Sequence, residues 1–123
     1  MIILDNPYVS ELLVDAAERT GVPVLDNAMA RRAADGRKLD LLDEESFVAR
    51  FRGDPGARLY SNTEDSIGWI EDRLAFTPLP DLIDSCKDKL RFRRLLQPEY
   101  PDFFFEGIDY DELDRFDPSG VEK

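Results

Sequence analysis

A chain of 123 residues, 42% hydrophobic and 35% charged, has the length of one domain and the composition of a folded globular protein rather than a disordered one. Its formal net charge of −11 disfavours a protein that coats nucleic acid, and the lack of histidine removes imidazole catalysis and the usual zinc sites. The single cysteine, Cys86, has no partner for an internal disulfide, which fits a reducing cytoplasm. No apolar run reaches the roughly 20 residues a membrane span needs, and the N-terminus lacks the basic start of a signal peptide.

The opening run MIILD has the continuous apolar character of a strand buried on both faces. Asn6 has N-cap chemistry and Pro7 suits a first helical position, so a helix is expected to start there. Val9, Leu12, Leu13, Ala16 and Ala17 fall at the spacing of one helical face, and Gly21 is placed to end it. VPVLD reads as a second strand, with Pro23 marking an edge or a strand start. Together these make a βαβ unit. NAMARRAAD is a short helix candidate ending at Gly36, LDLL a brief strand, and DEESFVARFRG a helix with acids in its first turn and arginines in its last. After the turn GDPG, ARLYSN is a good strand candidate. Asn62 or Thr63 is expected to cap a helix in EDSIGWIEDRLA, with Ile67, Ile70 and Leu74 on one face. TPLPD then breaks the chain.

Strands alternating with helices predict an α/β domain over residues 1–100 with a mainly parallel sheet. Residues 101–123 differ. DFFFEGI is an aromatic strand candidate, and the segment holds eight acids against Arg115 and Lys123, a net of 2 − 8 = −6. It reads as a strand plus an acidic linker towards a further domain.

Neither GxGxxG nor GxxxxGK[ST] occurs, so a dinucleotide fingerprint and a P-loop are both lacking. Ligands of open parallel sheets bind beyond the carboxyl ends of the strands. That rule selects Asp5, Asn6 and Tyr8 after the first strand, and Ser61, Asn62 and Thr63 after ARLYSN. Capping alone would also account for Asn6 and for Asn62 or Thr63.

CKDKLRFRRLL, residues 86–96, concentrates five of the 16 Lys and Arg of an acidic chain. Ser85 and Asp88 are spaced as a capping box, predicting one helix from about Cys86 to Leu96 that ends before Pro98. On that helix Cys86, Leu90, Phe92, Leu95 and Leu96 form an apolar arc. Lys89 and Arg93 fall inside the arc, whereas Lys87, Arg91 and Arg94 fall outside it. The inward pair either snorkels to water, pairs with acids of the chain, or reaches into a cleft that holds an anion.

LYSNTED, KDKLRFRRLL and YPDFFFEGIDYDEL, taken in order, resemble the N-terminal, pre-ATP-grasp domain of the ATP-grasp superfamily. Its members are mostly carboxylate–amine or carboxylate–thiol ligases that activate an acid as an acyl phosphate. The resemblance implies a Rossmann-like, three-layer domain forming one wall of an ATP and carboxylate cleft. It also implies that Lys89 of the Asp88-Lys89 pair contacts ATP. Asp5, Asn6, Tyr8, Asn62, Thr63 and Arg93 become substrate-cleft candidates, and no catalytic residue or metal ligand is expected in this chain. ATP and Mg²⁺ would belong to the full-length protein, with none expected on this chain alone. The glycine-rich loop, second phosphate-binding lysine and metal ligands of the family are not in these residues, so the chain by itself is expected to be inactive. Its implied partners are the missing ATP-grasp domain or a partner subunit, with a homodimer as a further option. Neither nucleic acid nor membrane is expected, and the setting is cytoplasmic. The alternative is a non-enzymatic α/β module that docks an acidic partner through the basic helix 86–96.

Overall fold

The first residues of the chain fix the middle of the sheet. In the computed structural model, which describes residues 1–117 and 119, β1 (Ile2–Ile3) is buried and hydrogen-bonded to a parallel neighbour on each side. The strand order is β3-β2-β1-β4 and every pairing is parallel, with β2 at Val24–Leu25, β3 at Leu41–Leu42 and β4 at Tyr60–Ser61. The central strands β1 and β2 are buried at both residues, while the outer strands β3 and β4 are only partly covered. A continuous apolar run therefore reads correctly as a strand sandwiched on both faces. Pro23 precedes β2, which lies inside the sheet and not at its edge. Its carbonyl accepts from Ile2 N–H at 2.9 Å, and its missing donor falls just before the ladder begins.

The connections are helical: α1 (Glu11–Thr20), α2 (Ala28–Ala33) and α3 (Glu44–Gly53), with a 3₁₀ turn (Glu64–Ser66) leading into α4 (Ile67–Arg73) after β4. The start of α1 corrects the expectation at Asn6. Ser10 is the cap, its hydroxyl accepting from Leu13 N–H at 3.3 Å, and the Asn6–Pro7 peptide is cis. Residues 5–8 form a non-helical loop with a bend at Asn6 and Pro7, and Asn62, at the end of the neighbouring strand, engages the backbone of Asp5 and Tyr8. The buried face of α1 also differs from the expected one: Val14 and Ala17 are buried, whereas Leu12 is 73% exposed. Gly21 ends α1 with φ +60, a left-handed position where glycine carries no Cβ penalty.

One core cluster joins Ile2, Leu4, Ala17, Val24, Met29 and Ala30; Phe47 and Phe51 on α3, Ile70 on α4 and Leu74 just after it are also buried. Asp43 caps α3, accepting from Ser46 N–H at 2.8 Å, and this bond holds its carboxyl below the usual carboxylate range. A lowered folded value means stabilisation that is present above the unfolded value and lost as pH falls through the folded one. Wild type is therefore expected to lose stability relative to Asp43→Asn, which caps without titrating, on going from about pH 6 to about pH 2. Urea unfolding at a series of pH values checks this. A difference that stays constant with pH would remove Asp43 as the source.

The chain divides into two compact units, Met1–Asp81 and Leu82–Lys123, and the division falls inside α5 (Leu79–Lys87). The TPLPD stretch starts this helix instead of breaking the chain, since Thr77 Oγ1 accepts from Leu79 N–H at 3.3 Å. The single helix expected over 86–96 is interrupted at Asp88. Its carboxylate accepts from both Leu90 and Arg91 N–H at 2.9 Å and starts α6 (Lys89–Leu96). Asp88, not Ser85, is the cap because an ionised side chain satisfying two orphan amides outcompetes continuation of the helix. DFFFEGI forms no strand, and a 3₁₀ segment (Tyr110–Arg115) follows it. Part of this loop runs back along α6: a Cβ added at Gly107 would lie 2.7 Å from Leu90 Cδ2. The last residues of the expected acidic linker, 118 and 120–123, lie outside the described residues. Among the described residues, no helix is long and apolar enough to cross a membrane.

Two candidate cavities, one in each unit

The first cavity, of about 320 Å³, opens in the first unit where β1 and β2 end, and it is lined by Asp5, Asn6, Asp26, Asn27, Glu44 and Trp69 among others. Each polar wall is braced. Asn27 caps α2, accepting from Ala30 N–H at 2.8 Å while donating to the Leu4 carbonyl at 2.7 Å. Asp26 accepts from Arg31 Nε and Nη2 at 2.6 and 3.0 Å, and that pairing holds its carboxyl below the usual range. Trp69 Nε1–H donates to Glu44 at 3.0 Å, and Arg73 pairs with the same carboxylate at 3.2 Å. Asp5 Oδ1 accepts from Asn6 N–H at 2.8 Å.

Of the residues expected at the strand ends, Asp5 and Asn6 face this cavity and the others do not. Asn62 uses its whole amide on the β1–α1 loop, and Tyr8 is 69% exposed with its carbonyl held by Asn62. Neither Asn62 nor Thr63 caps a helix through its side chain. Thr63 Oγ1 is buried without a hydrogen-bond partner, while its carbonyl accepts from the hydroxyls of Ser61 and Ser66 at 2.7 and 3.1 Å. Asp26 and Asn27 escaped the sequence reading although the rule that picks Asp5 and Asn6 applies equally after β2. Glu44 and Trp69 reach the cavity from α3 and α4 and carry no local signal.

The second cavity, of about 350 Å³, belongs entirely to the second unit and lies against α6. Lys89 and Arg93 are its cations, and Phe92, Tyr100, Phe103 and Phe105 its aromatic walls; Cys86 also lines it. Arg93 lies over the Phe103 ring with its guanidinium carbon 4.5 Å from the centroid, a cation–π contact. Lys89, Phe92, Arg93 and Leu96 recur one turn apart and share this face, as the helical spacing predicts. Leu95 departs from that expectation, since it is 59% exposed and turns away with Arg91 and Arg94. Cys86 and Lys87 belong to α5, so their expected places inside and outside the arc of one continuous helix do not apply. The first amides of α6 are taken by Asp88, leaving anion recognition here to the two cationic side chains.

Among the described residues, no group of three or more His, Cys, Asp or Glu side chains is placed to hold a metal ion. Fold and cavities together define a class: an α/β protein with a four-stranded, all-parallel sheet and, in a separate unit, a cationic cavity walled by aromatic rings. No family model, no curated protein and no solved structure matches the chain.

Proposed function

We propose that this chain is a Rossmann-like domain of the pre-ATP-grasp kind, the nucleotide-contacting and non-catalytic part of an ATP-dependent carboxylate ligase. The observation that carries the reading is the pairing of Lys89 with Arg93 on one wall of an aromatic cavity of about 350 Å³. That volume falls in the range of small-ligand pockets, roughly 300 to 1,000 Å³. A planar base has rings to stack on, and a phosphate has an ammonium and a guanidinium to neutralise it. The strand order β3-β2-β1-β4 supports the Rossmann-like part, being the first half of a doubly wound sheet with its reversal at β1. Around the first cavity, Asp5 and Asp26 at the strand ends and Glu44 on α3 favour an amine acceptor over a carboxylate. Phosphoryl transfer relies on metal-bridged phosphates, so chemistry and Mg²⁺ fall to an ATP-grasp domain or partner subunit beyond these residues. A cytoplasmic setting fits the single thiol.

The cavity revises one expectation. With two cations and four aromatic rings in one unit, the chain alone should keep a weak, millimolar contact with ATP. Cys86, the only cysteine, lines the cavity and reports on it. Maleimide labelling of Cys86 is expected to slow at least twofold in about 10 mM ATP, a concentration suited to a weak site. Lys89→Ala should abolish the protection, and Arg91→Ala with Arg94→Ala should retain it. Labelling that ignores ATP, or protection that survives Lys89→Ala, would defeat the assignment.

A further inference from the structure

Every buried side chain of the described residues precedes residue 75. From Leu82 to Asp117 none is buried, although this stretch holds eight of the twelve large exposed apolar side chains. Such a unit orders its chain without removing a core from water, and conformational entropy then opposes it with little offset. Its remaining apolar surface calls for a cover. Two parts of that surface differ in charge. On the outward side of α6, Arg91 and Arg94 flank Leu95, and neither guanidinium has a partner among the described residues. On the 3₁₀ segment, Tyr110 is 89% and Leu113 56% exposed among Asp111, Glu112 and Asp114, whose carboxylates are likewise unpaired among the described residues.

We propose that these two surfaces dock a second copy of this chain, the arginine face of each copy meeting the acidic 3₁₀ segment of the other about a two-fold axis. The charges decide the occupant. An acidic partner protein would satisfy the arginines and leave the acidic segment and its Tyr110 and Leu113 uncovered. A second copy satisfies both at once, because the same two patches occur on each molecule and an isologous contact uses each of them twice. The opposing net charge of −11 per copy acts mainly at a distance, where salt screens it beyond about 8 to 10 Å. Charges at the contact are not screened in this way. They set register and partner, while Leu95, Tyr110 and Leu113 supply most of the attraction. The interface leaves the cavity face of α6 free, so it stands independently of the nucleotide reading.

Sedimentation equilibrium of the wild-type chain at roughly 100 µM, above the micromolar range of modest interfaces, is expected to give a dimer. Arg91→Glu with Arg94→Glu, and separately Asp111→Lys with Asp114→Lys, should each weaken self-association at least tenfold. An equimolar mixture of the two variants should recover the dimer, because each arginine-to-acid face then meets an acid-to-lysine segment. Recovery also excludes unfolding as the cause of the single-variant losses. Lys89→Ala should dimerise like wild type. A monomeric wild type at this concentration, with or without binding to another acidic protein, overturns the proposal. So do variants that dimerise unimpaired, or a mixture that stays monomeric.

Discussion

Phe47→Ala is expected to lower the unfolding free energy by about 3 to 5 kcal/mol, the range for removing a fully buried aromatic ring. Phe47 has 0% of its surface exposed, and its ring lies 5.9 Å from Phe51 and 5.8 Å from Trp69, edge-on at 77° to the latter. The loss depends on whether neighbours can fall into the hole. Trp69 is poorly placed to do so, because its indole N–H is held by Glu44 on the same helix as Phe47. Arg73 holds that carboxylate in turn. The space stays largely open, which favours the upper part of the range. Against a typical total of about 5 to 15 kcal/mol, one truncation removes a large share of the stability. Trp69 is the only tryptophan, so its fluorescence during urea unfolding reports on this cluster directly. A shift in midpoint at constant slope is the expected form, and a loss below about 1 kcal/mol would mean that α3 is not anchored through this ring. Phe47→Leu, which keeps most of the volume, should cost less than about 1.5 kcal/mol.

The elements legible in the sequence are those decided by neighbours in the chain. Ile2-Ile3-Leu4 announces a central strand because burial on both faces leaves no room for alternation. Asp43 and Gly21 mark helix ends through bonds that close within a turn. Lys89 and Arg93 could be assigned to one face from helical spacing alone, and both line the cavity against α6. What escaped was decided from a distance or by competition between local signals. Asn6 has cap chemistry, but Asn62 reaches the loop across 57 residues and ties it to the end of β4. Ser85 and Asp88 both carry cap chemistry, and spacing does not rank them. The carboxylate took two amides and split the helix. The residues 102–108 have the β-propensity of a strand, yet a strand needs a ladder, and among the described residues the sheet consists of β1 to β4. The first cavity was legible by half, since Asp5 and Asn6 follow a strand while Glu44 and Trp69 arrive from helices.

Asn62→Ala is expected to cost about 2 to 3 kcal/mol, more than a surface asparagine would, because three bonds converge on one amide. Its Oδ1 accepts from Asp5 N–H at 2.7 Å, and its Nδ2 donates to the carbonyls of Asp5 and Tyr8 at 2.9 and 2.8 Å. Truncation leaves a partly buried backbone amide with no acceptor, and an unmade bond of this kind costs more than the made bond contributes. The damage is also directional. The three bonds tie the loop after β1 to the end of β4, and that loop places Asp5 and Asn6 at the mouth of the first cavity. Amide exchange at Asp5 is expected to be slow in the wild type and fast in the variant, while the amide of Val24 in β2 follows only the global loss. Asn62→Asp separates the two halves of the interaction. It keeps the acceptor for Asp5 N–H but turns two donated bonds into repulsion between a carboxylate and two carbonyls. It should therefore destabilise at least as much as alanine. A neutral Asn62→Asp would show that the two donated bonds contribute nothing and that the tether rests on the Asp5 amide alone.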